Sequence, residues 1–156
     1  MKKFRGIRRY YRSLDNRIAH QKFHFDQDGS SWYNHWHIHL DWEGITETSV
    51  KHRRSHFKKY IDLLKKVDEQ SRNSNVDFQC WIFLDANSGS CDAIYLHTKN
   101  PHSEFPLRTT GIQWGVMPPA LIQDVIDAAE YEVGCQKEGD FYQYYIYKRE
   151  VGLPLK

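Results

Sequence analysis

Apolar residues in the stretch 3 to about 19, namely Phe4, Ile7, Tyr11, Leu14 and Ile18, recur at three- and four-residue steps. This spacing predicts an amphipathic helix with Arg and Lys on its outer face. A second helix is predicted over residues 49 to 72, with Val50, Phe57, Ile61, Leu64 and Val67 inward and a strongly basic outer side. Pro118 and Pro119 suit the start of a third, in which Leu121, Ile122, Val125, Ile126, Ala129 and Val133 keep helical spacing until Gly134 offers a stop. Its outer positions, Asp124, Asp127, Glu130 and Glu132, are acidic.

Between the helices the period changes to two. Residues 32 to 42 set Trp32, Trp36, Ile38, Leu40 and Trp42 against Tyr33, His35, His37, His39 and Asp41. Residues 76 to 85 separate Phe78, Cys80, Ile82 and Leu84 from Asp77, Gln79, Trp81 and Phe83, and a turn-forming stretch then leads to a partner strand over 92 to 98. That strand sets Ile94 and Leu96 against Tyr95 and His97, and a last one, 141 to 149, sets Tyr142, Tyr144 and Ile146 against Gln143, Tyr145 and Tyr147.

After the first helix the order is strand, helix, strand, strand, helix, strand, which is that of a ferredoxin-like antiparallel sheet in an α+β protein. The expected organisation is one domain over 1–156, with residues 1–20 as an N-terminal helix and 21–156 supplying the sheet and two further helices. In this topology the histidine-bearing strand is central. Its polar and aromatic face would seat the N-terminal helix, which needs somewhere to bury its apolar stripe. Residues 100 to 116 read as a connection long enough to close over one edge of that face.

Net charge is only +2, yet residues 1–78 carry about +6 and residues 79–156 about −4. So small a total does not by itself mark a nucleic-acid or membrane protein, and no stretch reaches the roughly 20 apolar residues of a membrane span. Charges crowd the start of the chain, where an export signal needs apolar residues, and three cysteines without metal or redox spacing fit a reducing compartment. A cytoplasmic location is the expectation. There is no glycine-rich phosphate loop, nucleophile elbow or dinucleotide fingerprint.

His35, His37 and His39 are the pattern with the most chemistry in it. Alternate strand residues point the same way about 7 Å apart, so neighbouring imidazoles can reach one cation. Zn or Mn accepts neutral imidazole nitrogens, with Asp41, His24, Asp26 or His97 to complete the shell, and such an ion polarises a phosphodiester or activates water. The string His24-Phe-Asp26 followed by His35-Trp-His37-Ile-His39 resembles the histidine–hydrophobic–histidine motif of the HUH endonucleases, which include plasmid relaxases and rolling-circle replication initiators. The resemblance spans about 16 of 156 residues, and Asn34 stands where relaxases often carry Pro. It implies His37 and His39 as metal ligands and the Tyr10-Tyr11 pair as nucleophile. The competing reading needs no metal: the histidines form a hydrogen-bonded network with Asp41, Asp77 and tyrosine hydroxyls beneath the first helix.

Other features point to partners. His52 and His56 have helical ligand spacing, but the surrounding Lys51, Arg53, Arg54, Lys58 and Lys59 repel a cation, so a basic helix face for phosphates or an acidic protein is the better description. Trp81, Tyr95, Tyr145 and Tyr147 would make a stacking platform for bases if their face were open. His97, Thr98, Lys99 and Asn100 gather polar chemistry at a strand end.

The leading expectation is a small binding or interaction protein of the immunity or antitoxin kind, with Arg53, Arg54, Lys58, Trp81 and Tyr95 facing a protein partner. The second is a metal-dependent phosphodiester enzyme with His35, His37 and His39 at the metal and Tyr11, His97 and Asp41 in catalysis. The third is nucleic-acid binding without catalysis.

Overall fold

The structure, a computed structural model, describes residues 6–25, 29–36, 49–84, 92–99, 102 and 104–148. In chain order these form α1 Ile7–His20, β1 Ser30–Trp36, α2 Val50–Ser71, β2 Gln79–Leu84, β3 Asp92–His97 and β4 Thr109–Trp114. There follow a short 3₁₀ turn, Ala120–Ile122, then α3 Gln123–Ala128, β5 Tyr131–Glu138 and β6 Phe141–Lys148. The chain is α+β, as its alternating periods predict.

Helix α2 has the expected bounds. The Ser49 hydroxyl caps it by accepting from the His52 amide at 3.2 Å, and Arg72 ends it. Phe57, Ile61, Leu64 and Val67 are buried as the period requires, whereas Val50, in the first turn, is half exposed.

The six strands form one mixed sheet in the order β1-β3-β2-β4-β6-β5. The first part follows expectation: β3 inserts between β1 and β2, antiparallel to both, while α2 carries the chain across. The ferredoxin-like completion does not occur. Residues read as connection form β4, which pairs parallel to β2 from Gln79↔Thr109 to Leu84↔Trp114, and this occupies the free side of β2. The last strand therefore adds outside β4 rather than beside β1. Two expectations fall with it. The histidine-bearing strand is at a sheet edge instead of the centre, and a register shift between Asn34 and Trp36 interrupts its two-residue period at His35.

The third helix is shorter than predicted. It ends at Ala128, the chain reverses through Glu130 at φ 61°, and Tyr131 to Glu138, including Val133 and Gly134, is strand β5.

The main core lies between the sheet and all three helices. Leu14 and Ile18 of α1, the α2 stripe, and Ile122, Val125 and Ile126 meet Phe78, Cys80, Ile82, Ile94, Leu96, Ile112 and Ile146. Helix α1 thus packs on α2 over the same sheet face and does not cover the opposite one. That opposite face has its own small cluster of Trp81, Phe105 and Tyr145, with Phe83 and Tyr147 against it. The cover here comes from His102 and residues 104–106, part of the stretch expected to close over an edge. Gln79, fully buried, holds it by donating to the carbonyls of His102 at 3.1 Å and Phe105 at 2.9 Å, and accepts from the Trp81 indole at 3.1 Å.

Candidate functional site

Helix α1 places Tyr10 and Tyr11 on the first half of α2. The Tyr11 hydroxyl donates to the His52 carbonyl at 2.9 Å and lies 2.7 Å from the His52 Nδ1. A carbonyl can only accept, so the single phenolic proton is committed there and His52 Nδ1 is the protonated nitrogen of its ring. Tyr10 stacks on His56 with ring centres 6.0 Å apart, and His56 in turn meets the Tyr60 edge at 5.5 Å. Burial pushes the Tyr11 phenol up to about 12, against a hydrogen bond from Ser55. Burial, and then the neighbouring His52, takes His56 down to about 3, while burial lowers His52 as well. The cluster is therefore a neutral, aromatic seam between two helices. Tyr11 is held in it as a packing residue between α1 and α2.

Beside this seam runs a groove of about 470 Å³ between α2 and α3, closed at one side by Tyr11. Ile61 and Val125 are buried beneath it, Ala128 and Ala129 line it, and its polar wall is a ridge of α2: Ser55, Lys58, Lys59, Asp62 and Lys65. Within that wall Lys59 pairs with Asp15 and, at 3.4 Å, with Asp62, and Arg54 pairs with Asp124 at the rim. These bonds satisfy both carboxylates of the groove. Lys58 and Lys65 have no acidic partner among the described residues, nor do Arg8, Arg9 and Arg12 on the exposed side of α1. The guanidinium Nε of Arg53 is buried without a partner among the described residues.

On the other side of the sheet the predicted platform is divided. Trp81 is fully buried, with Phe105 at 5.0 Å and Tyr145 and His102 at 5.4 and 5.4 Å, so it is not available to a nucleic base or a protein partner. Tyr95 and His97 remain half exposed and stack at 5.7 Å with planes 10° apart. Burial, followed by the nearby His102, lowers the His97 pKa.

The proposed metal strand is reached only in part. His37, His39 and Asp41, with Asp26, lie outside the described residues, and His35 is placed by its backbone alone. Among the described residues no three His, Cys, Asp or Glu side chains gather as a metal site. The register sets His97 opposite Ser30, at the far end of the β1–β3 ladder from His35, so it does not support one ion shared by that pair. Asp77 is exposed and accepts from the Arg108 guanidinium at 3.2 Å, which places it in a loop contact rather than in a buried histidine network.

Sequence reasoning singled out Lys58 but missed Ser55 and Lys65. Their spacing along α2 was visible. What hid them was the packing of α3 beside α2, a tertiary contact that no local pattern records. No protein-family model, curated protein or solved structure matches the chain. No helix among the described residues is long and apolar enough to cross a membrane.

Proposed function

We propose that the chain is a binding protein that docks an acidic protein partner through its helical layer, as an immunity protein or antitoxin caps its target. The observation that supports this is the collection of uncompensated cations on one side of the molecule: Arg8, Arg9 and Arg12 on α1, Lys58 and Lys65 on α2. An acidic surface arriving there meets charges that internal pairs have not already neutralised.

Nucleic acid is the weaker fit. A single strand is held by phosphates on cations and bases on aromatics within one groove. Here the cations without acidic partners among the described residues, Arg8, Arg9, Arg12, Lys58 and Lys65, sit over the helix-covered face, whereas Tyr95 and His97 lie on the opposite face, with Trp81 buried there. The phosphodiester-enzyme reading rests on His37, His39 and Asp41, which lie outside the described residues, and on water as the nucleophile where Tyr11 is engaged in the helix seam.

The test is a fluorescence titration of the full chain with labelled polyglutamate and with an oligonucleotide of equal charge, at low and high salt. The expected result is salt-sensitive binding of polyglutamate that Arg9→Glu/Arg12→Glu weakens. Absence of binding at low salt, or stronger binding of the oligonucleotide, overturns the proposal.

A further inference from the structure

We infer that the α2–α3 groove seats one acidic, amphipathic helix of the partner, an inference that rests on the reading just given and narrows it to a single element. The groove's polar wall is a regular ridge. Ser55, Lys58, Asp62 and Lys65 step along α2 by three and four residues, so all four stand on one side of the helix. Asp62 is already held by Lys59 and Asp124 by Arg54, which leaves Lys58 and Lys65 to meet a ligand. They are two helical turns apart, roughly 10 Å along the axis. A helix lying alongside α2 presents carboxylates at the same interval when Glu or Asp occupies positions i and i+7.

The floor selects the occupant's backbone. Ile61, Val125, Ala128 and Ala129 supply no hydrogen-bonding side chain. An extended segment laid on them would leave amides without partners, each at the cost of a lost hydrogen bond. A helix satisfies its own backbone and offers an apolar stripe at i+3 and i+4, between the two carboxylates. The two alanines permit close approach, because they project only a methyl group into the contact. Room for it exists because α3 has six residues beside the 22 of α2, so the longer helix is flanked over only part of its length. A free phosphate or a nucleic-acid backbone would take the lysines and make no use of this floor.

The experiment uses the full chain and three labelled probes: a synthetic peptide of about four helical turns with Glu at i and i+7 and Leu at i+3 and i+4, a scrambled peptide of the same composition, and polyglutamate of equal charge. The designed helix is expected to bind at least about tenfold more tightly than the scrambled peptide. Lys58→Glu/Lys65→Glu should remove about tenfold of that affinity. Ala128→Trp fills the floor at an exposed position without changing charge, and should weaken the helix comparably. Circular dichroism of each variant checks that it is folded. Equal binding of designed and scrambled peptides, or an Ala128→Trp variant that binds the helix as well as the parent chain, overturns the groove inference while salt-sensitive polyglutamate binding still supports the broader reading. Loss of polyglutamate binding as well overturns both. Displacement of the peptide by an oligonucleotide more readily than by polyglutamate overturns the choice of partner.

Discussion

His56 is a titratable ring with 1% of its surface exposed, stacked on Tyr10 and next to His52, and it sits near pKa 3 where an unburied histidine sits near 6.5. Well above pH 6.5, from about pH 8, the ring is neutral in both the folded and the unfolded chain, so it contributes no pH dependence there. Below that the unfolded chain takes up a proton that the folded chain refuses, and stability falls as pH falls, down to the folded value. One proton is worth about 1.4 kcal/mol per pH unit. Urea titrations between about pH 6 and pH 4 should therefore show the parent chain losing stability more steeply than His56→Phe, by close to that slope. Parallel lines for the two proteins would mean the ring is protonated in the folded state. The sequence marked His56 only as half of a ligand-like pair with His52. Its burial depends on Tyr10 arriving from α1, a contact 46 residues distant that no local pattern records. Gly111 is a second residue whose role is set by distant neighbours. A Cβ added there would lie 2.5 Å from the Trp81 ring and 2.6 Å from the Ile146 carbonyl oxygen, which belongs to the backbone of the paired strand and has nowhere to go. Gly111→Ala should cost roughly 2–3 kcal/mol in equilibrium unfolding, whereas a cost below about 0.5 kcal/mol would show that the ring and strand yield easily.

At the scale of elements, legibility follows burial. Helix α2 was readable almost to the residue because one face is buried along most of its length and Ser49 marks its start. Strands β2, β3 and β6 were readable for the corresponding reason, since each alternates between the helix-covered core and the Trp81 cluster or solvent. The elements that escaped detection are those where this contrast fails. In β4 both faces are largely buried, Gly111 replaces a side chain, and Pro106 and Gly115 on either side imitate a loop. In β5 only Tyr131 is buried and the rest is exposed to varying degrees, as suits an edge strand, so Val133 could be enrolled in a helical pattern that Val125 and Ile126 had begun. The true stop carries no glycine: Glu130 takes the left-handed conformation itself. That conformation is strained for a residue with a Cβ, so Glu130→Gly should raise stability by about 0.5–1 kcal/mol while leaving the fold intact. A loss of stability in thermal or urea unfolding would show that the Glu130 side chain contributes more than its backbone strain costs. The candidate site inherits this uneven legibility. Its lysines were visible as a basic helix face, and its cavity was not, because the cavity depends on which helix packs beside α2.

For the whole molecule, part of the positive excess in the first half of the sequence is carried by two helices, with the arginines of α1 and the lysines of α2 exposed over one sheet face. Two kinds of contribution to binding should then separate. Arg8, Arg9 and Arg12 are exposed on α1 and do not line the groove, so they act on an approaching acidic partner mainly through the long-range field. Such steering is screened over about 10 Å at 0.1 M salt, so it governs the rate of encounter and weakens as salt rises. Lys58 and Lys65 border the groove itself, where a bound helix excludes part of the water and the contact persists for the life of the complex. Stopped-flow mixing with the acidic helical peptide should resolve the two. Arg9→Glu/Arg12→Glu is expected to slow association several-fold at low salt, with the difference fading towards about 0.5 M salt and dissociation little changed. Lys58→Glu/Lys65→Glu should instead speed dissociation, with a residual effect at the same high salt. If both variants altered only the association rate, the lysines would be part of a general electrostatic surface and the groove would have no part in holding the partner. If the α1 variant alone accelerated dissociation, the bound helix would lie on α1, and the contact would have to be redrawn around Arg9 and Arg12.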